Sequence, residues 1–201
     1  MPQLTTDSPT LMLVALLAYL LGSVPFGVVI TRIMGLGDLR QIGSGNIGAT
    51  NVLRTGNKGA AAATLILDAA KGAIAVLLAR AFVGEDAAQV AAFTSFLGHL
   101  FPVWLRFKGG KGVATFIGTL LALAWPVGLA VCATWAATAA ITRISSLAAL
   151  VAAASSTIWM FGLGQGRLLG LGILLTLLVY WKHAANIARL NAGTEPKIGQ
   201  K

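Results

Sequence analysis

Apolar positions in this chain are gathered into long runs, separated by short polar stretches. The runs cover residues 10–33, 60–83, 87–101, 113–125, 127–141, 147–163 and 168–181. Most approach the length that crosses a hydrocarbon core near 30 Å thick at about 1.5 Å per residue. Each predicts a membrane-spanning helix, so the chain reads as all-α, a polytopic membrane protein of seven spans, two of them short.

The stretch 113–141 allows two readings. A single straight helix over it would be about 43 Å long, whereas Pro126 breaks the backbone ladder near its middle and splits it into two short helices. Charge decides between them. With two spans, the segments around Arg32–Lys58, Arg106–Lys111, Arg143 and Lys182–Lys201 all fall on one side, and Asp7, Arg80, Glu85, Asp86 and Arg167 on the other. That division satisfies the positive-inside rule. Merging the two would carry Lys182, Arg189, Lys197 and Lys201 to the outer side. The expected topology has its N-terminus outside and its C-terminus cytoplasmic. The first run follows no Lys or Arg and is too long for a signal-peptide core, so it reads as a retained span. No repeat, low-complexity linker or long polar stretch marks a second unit, and residues 1–201 read as one membrane domain.

Composition agrees with lipid as the solvent: 57% of the residues are apolar and 10% charged. The 24 glycines are poor material for a water-soluble helix but let helix backbones approach closely in a membrane. A net charge of +9 raises the question of nucleic acid. The basic residues sit at the ends of apolar runs and not on one soluble face, so topology accounts for most of them and no nucleic-acid partner is expected. The single cysteine, Cys132, lies inside an apolar run; neither an internal disulfide nor a metal site is suggested.

Chemistry concentrates in the polar segments. The first, Gly43-Ser44-Gly45-Asn46-Ile47-Gly48-Ala49-Thr50-Asn51-Val52-Leu53-Arg54, has the vocabulary of an oxyanion cradle. Glycines let backbone N–H groups converge, Ser44, Asn46, Thr50 and Asn51 add hydrogen bonds, and Arg54 adds a bidentate charge. The same residues suit a flexible interhelical loop. Gly43–Gly48 has dinucleotide-binding spacing, with Asp68 at a suitable distance, but it follows a span and not a strand, so that reading is rejected.

A second segment, Phe107-Lys108-Gly109-Gly110-Lys111-Gly112, places two lysines among three glycines where a helix begins, a position that attracts anions. It lacks the spacing and the Ser or Thr of a nucleotide P-loop, and its lysines also serve topology. Just before it, His99 stands at the end of the third run beside Pro102. In the tail, His183 and Asn186 lie three residues apart on one helical face. Ser146, after Arg143, offers another hydroxyl or a helix cap. Asp68 and Lys71, at the same spacing inside the second span, read as a mutual pair or as functional groups, since an unpaired charge there costs roughly 3 kcal/mol.

Taken together, the segments Gly43–Asn51, Gly109-Gly110-Lys111-Gly112-Val113-Ala114-Thr115 and His183–Arg189 resemble the three motifs of the acyl-phosphate:glycerol-3-phosphate acyltransferase family (PlsY). The resemblance runs from about Leu20 to Lys197. It implies transfer of a fatty acyl group from acyl phosphate to the 1-hydroxyl of sn-glycerol 3-phosphate, giving lysophosphatidate and phosphate, at a bacterial inner membrane with the site facing the cytoplasm. Acyltransferases that take thioesters commonly place an acid five residues after a histidine; here Trp104 follows His99 and Ala188 follows His183.

The resemblance and the charges together give Ser44, Asn46, Arg54, Lys111, His183 and Asn186 the catalytic work. Gly43, Gly45, Thr50, Asn51, His99, Lys108, Gly109, Gly110 and Ser146 are expected to bind substrate, with Ser145 an alternative for Ser146. The expected partners are acyl phosphate, sn-glycerol 3-phosphate and membrane lipid, without cofactor or metal, and no oligomeric state is indicated. In the direct scheme, Arg54 and Lys111 hold two phosphates and a phosphate oxygen takes the hydroxyl proton. In a second, Ser44 is acylated with His99 or His183 as base. From a different class, a small membrane transporter of an anionic solute would also use glycine-broken spans and intramembrane charges.

Overall fold

The computed structural model describes residues 5–199. Among them are ten α-helices and no strand: α1 (Ser8–Gly22), α2 (Phe26–Ile33), α3 (Ala49–Val52), α4 (Lys58–Phe82), α5 (Glu85–Leu100), α6 (Val113–Leu123), α7 (Trp125–Thr142), α8 (Ser145–Gly162), α9 (Leu169–Lys182) and α10 (Ala184–Asn191).

Local chemistry sets the helix ends. The Asp7 carboxylate accepts the Thr10 N–H at 3.1 Å at the start of α1, and Asn57 accepts the Ala60 N–H at 2.9 Å at the start of α4, satisfying donors that have no intrahelical partner. The run expected as one span over 10–33 is two helices. Pro25 has no N–H and disfavours helical geometry at Val24, so α1 stops there, with Ser23 bonded back to the Tyr19 carbonyl through both its N–H and its Oγ. The stretch 113–141 is likewise two helices, joined through extended Ala124 with Pro126 in the first turn of α7. A third break comes at His183, where α9 and α10 meet at 63°.

Side chains exposed on the helices are large and apolar, among them Ile66 at 65%, Phe82 at 81%, Ile141 at 83% and Phe161 at 78%. Inside, small residues bring helices together, with Ala87, Ala88, Ala91 and Ala92 of α5 fully buried, beside a core of larger side chains such as Phe96, Phe116 and Leu120. The large apolar side chains on the outside suit helices solvated by lipid, and the small ones inside suit packing through close backbone approach. Between α1 and α5 the approach is close. A Cβ on Gly22 would overlap the backbone of Ser95, and one on Gly98 the carbonyl of Tyr19.

Five segments are long and apolar enough to cross a membrane: Ser8–Ile33, Lys58–Phe82, Glu85–Leu105, Trp125–Thr142 and Ser145–Gly162. The bent pair Gly166–Lys182 and Ala184–Asn191 makes a sixth. Helix α6 is about 16 Å long, half a hydrocarbon core. Thr115 in its first turn donates to the Asp68 carbonyl at 2.8 Å, about 15 Å into α4 by helical rise. At its other end the Arg80 guanidinium holds the Ala122 and Leu123 carbonyls and pairs with Glu85 at 2.8 Å. Because α6 starts so deep, the loop before it is drawn into the bundle and leaves a hollow above.

Candidate functional site

That hollow is a cavity of about 870 Å³. Its wall takes residues from the start of α4, the end of α5, the starts of α6 and α8, the end of α9 and much of the 43–58 segment. The polar segments, far apart in sequence, therefore share one end of the bundle. Deeper in, the wall turns apolar, with Leu65 and Ala69 of α4, Ile117 of α6 and Trp135 of α7.

In the first polar segment, buried Asn51 organises the loop. Its Oδ1 accepts from the Ser44 N–H at 3.1 Å and from Arg54 at 3.4 Å, and its Nδ2 donates to the carbonyls of Leu39 and Asn46 at 3.0 and 2.8 Å. Gly43 adopts φ +53°, and a side chain there would collide with the Arg54 guanidinium and Asn51. Glycine lets the chain reverse at that point while Arg54 lies across it. The Asn51 amide is thus committed to the protein, whereas Ser44, Asn46 and Arg54 line the cavity. Thr50 also lines it, with its hydroxyl 3.3 Å from that of Ser145.

The opposite wall is a chain of charge-assisted bonds. Lys111 Nζ donates to Asn186 Oδ1 at 2.5 Å. Asn186 Nδ2 and the Ser146 hydroxyl both donate to Glu195 Oε1, at 2.6 and 2.7 Å, while Arg189 Nε donates to Oε2 at 2.7 Å. Ser146 therefore serves this network and does not cap α8. His183 Nδ1–H donates to the Val179 carbonyl at 2.8 Å, a tautomer fixed by the acceptor that leaves Nε2 for the cavity.

Burial pushes the Lys111 ammonium down to about 8, against the opposing pull of Glu195 and with the help of Arg189, Arg54 and Lys182. Burial disfavours the Glu195 carboxylate, but the hydrogen bonds from Ser146, Asn186 and Arg189 outweigh it and hold the group below its ordinary value. Around Lys111 the cations Arg189, Arg54 and Lys182 outnumber the one carboxylate, Glu195.

The cavity brings together Ser44, Asn46, Arg54, Lys111, His183 and Asn186, with Gly43, Thr50, Asn51, His99, Ser145 and Ser146. Four residues read as substrate-binding lie elsewhere. Gly45 forms a turn, Lys108 uses its carbonyl to accept from Arg40, and Gly109 and Gly110 pack against the last turn of α5. Asp68 and Lys71 form a buried ion pair at 2.7 Å. Among the described residues no cluster of His, Cys, Asp or Glu has the makings of a metal site. The sequence reading missed Glu195, which gathers the tail onto the site. The available signal was its standing as the lone carboxylate in a basic tail.

The family model for glycerol-3-phosphate acyltransferase matches residues 12–193. The glycerol-3-phosphate acyltransferase of Cereibacter sphaeroides is 68% identical, covering 100% of this chain and 96% of that one. That of Ruegeria pomeroyi is 69% identical, covering 100% and 99%. The fold matches crystal structures of PlsY, an integral membrane glycerol 3-phosphate acyltransferase. The glycerol 3-phosphate form matches with a TM-score of 0.89 at 38% identity over 94% of this chain and 96% of that one. The lysophosphatidic acid form matches with 0.88 at 37% over the same shares. With the family model spanning nearly the whole length and close relatives covering all of it, the chain belongs to the glycerol-3-phosphate acyltransferase family.

Proposed function

We propose that this enzyme transfers a fatty acyl group from acyl phosphate to the 1-hydroxyl of sn-glycerol 3-phosphate, releasing lysophosphatidate and inorganic phosphate. The observation that carries the reading is the cavity itself: Arg54, Lys111 and His183 from three distant segments meet at its polar mouth, above an apolar interior. A mouth of that kind suits two phosphates, and the interior suits an acyl chain. The PlsY relatives were crystallised in glycerol 3-phosphate and lysophosphatidic acid forms, the acceptor and product of this reaction.

An acyl phosphate is a mixed anhydride and is already activated. Arg54 and Lys111, with His183 and Asn186, hold the two phosphates, so that positioning and electrostatics supply most of the rate. Ser44 and Asn46 cradle the donor. The glycerol hydroxyl oxygen attacks the acyl carbon, the bond from that carbon to the phosphate oxygen breaks, and a phosphate oxygen takes the hydroxyl proton. No side-chain base is required, and Ser44 stays unacylated.

The topology that accompanies this reading has seven crossings, with the N-terminus outside and the cavity and C-terminus on the cytoplasmic side of a bacterial inner membrane. It is supported by the alternation of helices toward and away from the cavity and by the basic segments at that end. Helix α6 makes its crossing together with the loop before it. In the transporter alternative, Asp68 and Lys71 would face a solute path; here they neutralise one another.

Purified protein given acyl phosphate and glycerol 3-phosphate tests the proposal, with phosphate and lysophosphatidate both followed. Arg54→Ala is expected to lower turnover about 100-fold or more, the scale of a lost electrostatic contact to developing charge. No product from the wild type, or a wild-type rate from Arg54→Ala, overturns it.

A further inference from the structure

Two glycines of the loop before α6 have a role that neither backbone geometry nor the cavity explains. Among the glycines of this loop only Gly112 has a left-handed φ, and neither Gly109 nor Gly110 faces the cavity. What they leave room for is His99. A Cβ on Gly110 would fall against the imidazole at Nε2, and one on Gly109 would overlap the His99 carbonyl. The loop is also tied there: the Gly110 N–H donates to the His99 carbonyl and the Gly109 N–H to the Leu100 carbonyl, both at 3.1 Å.

The ring is buried, 3% exposed, with Nδ1 3.6 Å from Asp68 Oδ1. That distance is too long for a hydrogen bond, and His99 Nδ1 has no other hydrogen-bond partner. Asp68 faces Lys71 at 2.7 Å, and Lys71 donates to the Val24 carbonyl at the joint of α1 and α2, at 2.8 Å. A buried polar column thus runs from that joint through α4 to α5, ending beneath the residue next to Lys111.

We propose that His99, seated over Asp68, is a positioning residue for Lys111: its ring and carbonyl are the surface on which the Gly109–Gly110 backbone rests. Glycine at 110 is then a requirement of the histidine and not of the phosphate. The proposal rests on the phosphate-holding role given to Lys111 above. Lys111 holds phosphate in both the ground state and the transition state, so its displacement raises KM more than it lowers kcat.

Four proteins test this: wild type, His99→Ala, Gly110→Ala and the pair. Gly110→Ala is expected to raise KM for glycerol 3-phosphate about tenfold with kcat within about twofold, the pattern of lost uniform binding. In the pair the added methyl meets no ring, so its KM returns to that of His99→Ala alone, a non-additive result expected of residues in contact. Wild-type KM for Gly110→Ala, a fall in kcat alone, or a pair whose defect is the product of the singles overturns it. If Gly110→Ala does not survive extraction, His99→Gln and His99→Ala decide. KM near wild type with Gln and raised with Ala supports the role, and equal values overturn it. If the wild type does not turn over acyl phosphate, the reaction assigned above fails. The same comparisons are then made on dissociation constants for inorganic phosphate measured by calorimetry, and they decide the positioning role by the same pattern.

Discussion

Replacing Lys111 by arginine separates charge from titration at the cavity. The ammonium form of buried Lys111, whose pKa is pushed down to about 8, is the one that attracts phosphate, so its contribution is present at lower pH and lost as pH rises through that value. By simple titration about 90% of the lysine is charged at pH 7, about half at pH 8 and about 10% at pH 9, so kcat/KM falls about tenfold from pH 7 to 9. Substrate ionisation does not imitate this, because phosphate monoesters lose their second proton near pH 6. A bound phosphate favours the ammonium, so the alkaline limb of kcat lies at higher pH than that of kcat/KM. Arginine stays charged throughout. Lys111→Arg therefore has a flat profile to pH 9.5, at a lower plateau because a planar fork does not reproduce the bond to Asn186. Glu195→Gln, which removes the carboxylate that favours the charged lysine, moves the limb below that of the wild type. The assay is lysophosphatidate formation from pH 6.5 to 9.5, corrected for spontaneous acyl phosphate hydrolysis. A wild-type profile flat to pH 9.5, or an unchanged limb in Lys111→Arg, refutes the reasoning.

Asp68→Asn leaves the Lys71 charge buried without its counterion, 2% exposed, and should cost about 3–5 kcal/mol. The check is the unfolding midpoint in detergent, and the joint change Asp68→Leu with Lys71→Met should recover part of the loss. Gly22→Ala forces α1 away from the Ser95 backbone at a cost of about 3 kcal/mol, whereas Gly59→Ala, on the first turn of α4 with room for a methyl, should be neutral or stabilising by up to about 1 kcal/mol; equal midpoints for the two would contradict the packing argument. Incubation with acyl phosphate alone should leave the intact mass of the protein unchanged, and an acyl adduct on Ser44 would replace direct transfer with an acyl-enzyme.

Apolar run length and the sidedness of Lys and Arg gave the all-helical class and the grouping of polar segments at one end, because the cost of placing charge and unpaired backbone in lipid acts on each segment separately. The motif residues were legible for the same reason: glycine, hydroxyl and cation clusters between spans have few uses. Three things depended on contacts between distant segments. The loop glycines looked like an anion-binding device, yet Gly110 makes room for a ring eleven residues earlier in the chain. Asn51 looked like a ligand donor, but its amide is used up by Ser44, Leu39 and Asn46. Glu195 was missed because its role depends on the tail folding back onto Ser146, Asn186 and Arg189. Composition determines which solvent each stretch prefers, and so the helices. Which polar atom faces a ligand and which faces the protein is decided by packing, because α6 is too short to cross alone and its deep start next to Asp68 draws the Lys111 loop into the bundle.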